Sequence, residues 1–369
     1  MEKLNNLAST QSAGGGEVNS EKISYIESLR CYAAFAVVVL HVICTPFVSC
    51  YDAYSDLEHF LVRLIRNLMN WGVPVFVMIT GSLLLNPEKE LPLHKLFFKY
   101  IRRFVLVIAI FATCFSLMEL VFTEKTISVS IFFKAILNTL AGKSWEHTWY
   151  LYMTIGLYAL LPFLRCFTLG LEKMDENSAK KTLFCTLCVI FVISALLPYL
   201  SFFFDFENFF PKVSVYIFYA LLGYAVHKYN FSLNNKVSWC ILVGYFLYTS
   251  LIQLDSKFLM KDNAMLKTLG NDSPIVLLST LAIFSLSKNF FSKKNRKIGK
   301  ITKFLSPLTF GIYVLHPVSV NFCYKVLKFT PEYMPLCVSF FATLFITFAF
   351  SIIATWILRK IPIVKRYFL

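Results

Sequence analysis

Charge is scarce in this sequence. Asp, Glu, Lys and Arg make up 15% of its 369 residues, whereas soluble domains average nearer a quarter. Nothing in the chain resembles a separate soluble domain. Acidic residues are the scarcer sign, 21 against 36 basic, leaving a net charge of +15. No groove-binding module accompanies that excess, so nucleic acid is not expected as a partner. Cys185 and Cys188 form a CxxC, but within TLFCTLCVIFVI there is no second pair and no flanking loop. They read as packing residues, and no metal site is expected. Cys44 and Cys50 could approach each other near one membrane face. No positively charged leader with a small-residue cleavage site precedes the first apolar run. That run is too long for a signal-peptide core and is expected to stay as a helix.

What is present is apolar sequence. Hydrophobic residues make up 57%, with 39 Phe and 19 Tyr, and mean hydropathy is +0.63. Long apolar runs recur from Ile23 to Leu358. They predict an all-α polytopic membrane helix bundle of about ten spans. The spans fall near 23–48, 64–85, 97–122, 148–169, 182–203, 212–228, 237–254, 273–289, 304–326 and 334–358. Residues 1–22 are polar and read as a disordered cytoplasmic tail before a membrane domain over 23–369. With the N-terminus cytoplasmic, segments on its side hold 24 of the 36 Lys and Arg, and opposite segments hold 11. This bias predicts both termini inside a cell (inner/cytoplasmic) membrane, and it explains most of the positive charge. Ser128 to Gly142, in the longest outer loop, is apolar but short, suiting an interfacial helix or a re-entrant piece. The run SKKNRKIGKITK, Ser292 to Lys303, lacks acid. It reads as a topology signal or as a contact for anionic lipid.

The first span carries Arg30 and His41 inside its apolar run. Ionisable groups in hydrocarbon are costly and usually face a bundle interior or a water-filled cavity. Eleven residues at about 100° each return to nearly the same face, about 16 Å further along the axis. Imidazole suits general-base work near neutrality. Arginine's planar fork suits phosphate or carboxylate. The structural alternative is a His bonded to a backbone carbonyl and an Arg paired with Glu27.

Other segments carry similar signals. Pro74 and Gly81 interrupt NWGVPVFVMITGSLLL in the second span, which reads as a kinked helix that packs closely. Lys95, Lys99 and Arg102, with Arg103, gather at the foot of the third span, as anion ligands or as snorkelling anchors. His147, Trp149 and Tyr150 enter the fourth span within WEHTWYLYM. They suit an interfacial anchor or a substrate wall. Tyr313 and His316 lie in SPLTFGIYVLHPV, where Pro317 predicts a broken helix beside an internal site. Glu119 is a further intramembrane carboxylate.

Taken together, R-x10-H in SLRCYAAFAVVVLHV, then WGVPVFVMITGSLLL, HTWYL and FGIYVLHP resemble the membrane-bound acyltransferase-3 family, from about Ile23 to Arg359. The resemblance implies an O-acetyltransferase with about ten spans and cytoplasmic termini. It implies no permanently bound cofactor, and acetyl-CoA as cytoplasmic donor to a saccharide or glycolipid acceptor at or beyond the outer face. It assigns His41 as the catalytic histidine and Arg30 to the acyl-CoA end. The family's R-x-x-R near span three is only approximated, by Lys99 and Arg102. No esterase-like domain follows the last span, as in the stand-alone polysaccharide O-acetyltransferases. His147, Trp149 and Tyr150 would then shape the acceptor side, with Tyr313 and His316 supporting the interior. The competing class is a transporter of an anionic glycolipid or acylated metabolite, which interrupted spans and central ionisable groups also suit.

Overall fold

A computed structural model describes residues 2–201, 214–259, 269–292 and 298–368, with side chains for 24–201, 214–253, 269–292 and 298–368. The expected tail over 1–22 and residues 293–297 of the basic run 292–303 lie outside the residues described in full. The described residues are helical, with no strand among them. Among the described residues, seven helices are long and apolar enough to cross a membrane. These are α1 (Ser24–Ser49), α2 (Asp56–Leu84), α3 (Leu93–Glu124), α5 (Glu146–Glu172), α6 (Glu176–Leu200), α9 (Pro274–Phe291) and α11 (Leu336–Leu358). The other three expected spans are helices too: α7 (Val215–Tyr229), α8 (Asn235–Leu259) and α10 (Thr309–Asn321). Of these, α7 and α10 are short, at 15 and 13 residues. The apolar piece in the long loop is helix α4 (Val129–Leu140), and α12 (Pro362–Tyr367) follows the last span.

α1 lies at the centre, packed against α2, α9, α10 and α11. Its Leu29, Ala33 and Ala36 are fully buried. α2 has two parts. A Ser55–Glu58 capping box starts the first, which ends at Leu68, and a second begins at Gly72. Pro74 sits in the first turn of that second part, where its missing N–H costs nothing.

The second part of α2 meets α7 backbone to backbone. A Cβ built on Gly81 falls on the Ala220 carbonyl, and one built on Gly223 falls on the Met78 carbonyl. The Ser82 hydroxyl lies 2.8 Å from Gly223 O and 2.9 Å from Met78 O, bridging the two helices. Small residues permit this approach, which membrane helices need because lipid supplies no hydrophobic drive between them.

α11 shows the same logic with hydroxyls. Ser339, Thr343, Thr347, Ser351 and Thr355 recur every fourth residue and are all buried, while Phe341, Phe345 and Ile353 face outward. Thr355 fills the space left by Gly311 of α10. Cys185 and Cys188 are exposed on α6 rather than packed, so these thiols line the bundle's outer surface. Cys44 and Cys50 are both free thiols.

Candidate active site

Three histidines meet where α1, α5 and α10 converge. The His41 ring centroid is 5.1 Å from His316 and 6.3 Å from His147, and the latter two are 5.6 Å apart. His316 is fully buried and His147 nearly so. His41 is half-buried and opens on a cavity of about 920 Å³, which His147, Trp145, Trp149 and Glu119 also line. Neither alternative for the first span is seen. Among the described residues His41 has no hydrogen-bond partner, and Arg30 makes no ion pair with Glu27.

The sequence His-Pro in α10 sets the chemistry of its histidine. An ordinary residue at 317 would donate its N–H to the Tyr313 carbonyl, four residues back. Pro317 has no N–H. His316 Nδ1 lies 2.8 Å from that freed oxygen and 3.2 Å from Ile312 O. Both are acceptors, so Nδ1 carries the proton and Nε2 keeps its lone pair. Nε2 is buried without a hydrogen-bond partner, in the ring closest to His41. Unpaired buried acceptors are rare enough to require a reason. An N–H donated by a reoriented His41 would satisfy this one.

Pro317→Ala restores a backbone donor to Tyr313 O and releases His316 Nδ1. The expected result is a mixture of His316 tautomers in place of one, read from the imidazole nitrogen chemical shifts. An unchanged Nδ1-protonated ring would show that Pro317 does not set the tautomer.

The layer behind the histidines is aromatic. The Tyr313 hydroxyl donates to the His147 carbonyl, and its ring is 5.2 Å from Tyr150. Tyr150, Tyr313 and His316 therefore stand behind the cavity wall, while His41, His147 and Trp149 line it. On the far side Trp145 stacks on Phe115 at 4.7 Å and donates its indole N–H to Glu119 at 2.9 Å. Lys325 donates to both Glu119 oxygens, at 2.8 and 2.7 Å. Glu119 is thus the acidic half of an ion pair tying α3 to the chain just beyond α10, and it fixes the loop that carries His147. Sequence alone did not join Lys325 to it, because the partners are 206 residues apart.

The opposite end of α1 is cationic. Burial first, and then the Lys95, Arg30, Arg165 and Lys99 charges, hold the Lys89 ammonium below the usual lysine range. Arg165 spends its donors on the carbonyls of Leu84, Asn86 and Lys89, closing the end of α2. Arg103 donates to Phe368 O at 3.0 Å and rests over Phe310 at 4.6 Å, and Arg102 rests over Tyr367 at 5.0 Å. Phe104, Phe310 and Tyr313 continue as an aromatic column from Arg103 toward the histidines. Arg30 and Lys99 thus belong to the Lys89 cluster, while Arg102 and Arg103 are engaged by the C-terminal segment. Lys89 and Arg165 escaped the sequence reading because loop and span-end cations are ordinary topology signals.

The chain is thus a polytopic helical bundle with a histidine-floored cavity. The acyltransferase domain of the acyltransferase-3 family matches residues 23–359, nearly the whole chain, and the protein belongs to that family: it is a multi-pass membrane acyltransferase. It is 22% identical, over 92% of both chains, to a Bacillus subtilis (strain 168) protein named "Putative membrane-bound acyltransferase YfiQ". No solved structure matches the chain.

Proposed function

We propose that this acyltransferase moves an acetyl group from cytoplasmic acetyl-CoA to a hydroxyl of a cell-surface or lipid-linked saccharide. The observation that carries the reading is the layout of α1, with His41 at a cavity of ligand size and a cluster of like charges about 16 Å away, at the Arg30 end. The phosphates of CoA suit that cluster, and its thin pantetheine arm is long enough to span the distance to His41. Arg30 and Lys99 bind the donor, with Arg102 and Arg103 beside them. The Arg30 end faces the cytoplasm in this reading, and the cavity faces outward.

The transfer balances without a further reagent. His41 takes the proton from the acceptor hydroxyl as its oxygen attacks the thioester carbonyl. The C–S bond breaks, an ester C–O bond forms, and CoA leaves as a thiolate that takes the proton from the imidazolium. Trp149 and His147 shape the acceptor's approach. His316 and Tyr313 hold the two imidazoles in register, with Tyr150 packed behind them.

Purified protein given labelled acetyl-CoA and a panel of saccharides tests the reading. Label appearing in a saccharide ester supports it, and intact acetyl-CoA with every acceptor sinks it. Arg30→Ala is expected to weaken CoA binding about tenfold, the cost of one charge-assisted contact. Bound phosphate favours the Lys89 ammonium, whose folded value is already below the ordinary one. CoA affinity therefore falls as pH rises through that lowered value. Lys89→Gln is expected to flatten the profile, measured as Kd against pH. An unchanged profile would remove Lys89 from the donor site.

A further inference from the structure

The cavity holds a cation that the transfer chemistry above does not use. Arg63 and Arg66 sit three residues apart on α2, hence on one face, and both line the cavity. Guanidinium groups in a membrane span are costly unless they face such a space. Arg63 donates to the Tyr51 hydroxyl at 2.7 Å, and Tyr51 is itself part of the wall. Arg66 has neither a hydrogen-bond nor an ion-pair partner among the described residues.

Among the described residues, two carboxylates share the wall, Glu119 and Glu146. Glu119 is taken by Lys325 and Trp145. Glu146 is exposed and makes no ion pair among the described residues. With the Glu119–Lys325 pair neutral and Arg63 engaged by Tyr51, Arg66 is the wall arginine that the described residues leave without an ion-pair contact. Arg66 stands in the last turn of the helix Asp56–Leu68, where a cation complements the helix dipole. That accounts for a positive residue there, but not for one turned to the cavity without a partner.

We infer that the acceptor carries an anionic group, a carboxylate or a phosphate, and that Arg66 receives it. The inference rests on the acyl-transfer reading. Arg66 lines the same cavity as His41 and as Cys44, which is one turn along α1 from His41. The cation and the base therefore face one space of ligand size. An anion on Arg66 places a hydroxyl of the same or the adjoining sugar at His41. The guanidinium fork matches both candidate anions with paired hydrogen bonds. The amide side chains of Asn271 and Asn321 on the same wall supply neutral contacts.

The test uses the full chain in nanodiscs and three acceptors of one disaccharide skeleton: neutral, uronic-acid-bearing and phosphate-bearing. One anionic acceptor is expected to show a KM about tenfold below the neutral one, and which of the two does so identifies the anion. Arg66→Gln should raise that KM about tenfold, keep kcat within about twofold and leave the neutral acceptor unchanged, with Arg66→Lys intermediate. Equal kcat/KM for all three acceptors in the wild type, or an equal loss on all three in Arg66→Gln, overturns the inference. Equilibrium binding of the labelled acceptors to the same preparations is measured in parallel. If no acceptor is acetylated, the acyl-transfer reading fails, and binding still decides the anion question. Anionic acceptors retained by wild type and lost by Arg66→Gln support it, and equal retention refutes it. Phospholipid co-purifying with wild type but not with Arg66→Gln, without acceptor discrimination, assigns Arg66 to a lipid headgroup and also refutes it.

Discussion

On the proposed acetyl-CoA reading, His41→Gln is expected to abolish acetyl transfer in a protein that still folds and still binds CoA. Glutamine keeps the bulk and polarity of imidazole but takes up no proton near neutrality. General-base catalysis contributes about 10²–10⁴-fold, so residual transfer is expected at or below about one per cent of wild type. CoA affinity should hold, because the cationic cluster lies three turns away along α1. The side chain is half-buried and makes no hydrogen bond among the described residues, so the substitution breaks no such bond. Single-turnover assays with labelled acetyl-CoA measure the step directly. A variant that transfers at the wild-type rate would leave His41 without its role, and the proton would then have to go to His147.

Gly223→Ala separates α2 from α7 and lowers the yield and thermal stability of the whole protein. The added methyl lies within 2.7 Å of Met78 Cα and closer still to its carbonyl, and the mirror substitution Gly81→Ala does the same at Ala220. These are backbone atoms of a packed helix, so no side chain can swing aside. Overpacking of this kind costs about 1–3 kcal/mol or more, and here it also breaks the Ser82 bridge. Gly156→Ala is the control. Nothing lies within 4 Å of its Cβ position in α5, so the helix should gain up to about 1 kcal/mol from alanine's propensity. Unfolding temperatures in one detergent compare the three variants. A Gly223→Ala protein as stable as Gly156→Ala would show that the helices part without cost.

The bundle was legible because membrane burial writes itself in one dimension, as runs of apolar residues and biased loop charge. The short spans were harder to delimit. α10 stops at Asn321 before a π-helical turn over Phe322–Val326, and hydropathy does not distinguish the two. His41, His147 and His316 were legible for the same reason that they are costly, since each is a polar ring in apolar sequence. Their meeting was not, because it depends on the crossing of three helices far apart in the chain. Arg66 lay close to the expected start of the second span at 64, where a cation is unremarkable. The helix actually begins at Asp56, which moves Arg66 inward and changes its meaning. Glu119 read as an intramembrane carboxylate and Lys325 as a loop charge until the fold joined them.

The backbone contact between Gly81 and Gly223 has a mechanical consequence. A pair of helices keyed together through main-chain atoms behaves as one rod, a stator against which other parts can move. The break at Met69–Trp71 lies just beyond that rod, on the stretch that carries Arg66 toward the cavity. That break is itself tied down, because Asn70 donates to Leu269 O at 2.6 Å and the Tyr245 hydroxyl donates to Asn67 O. The cavity wall that carries Arg66 thus hangs from the rod at a fixed bend.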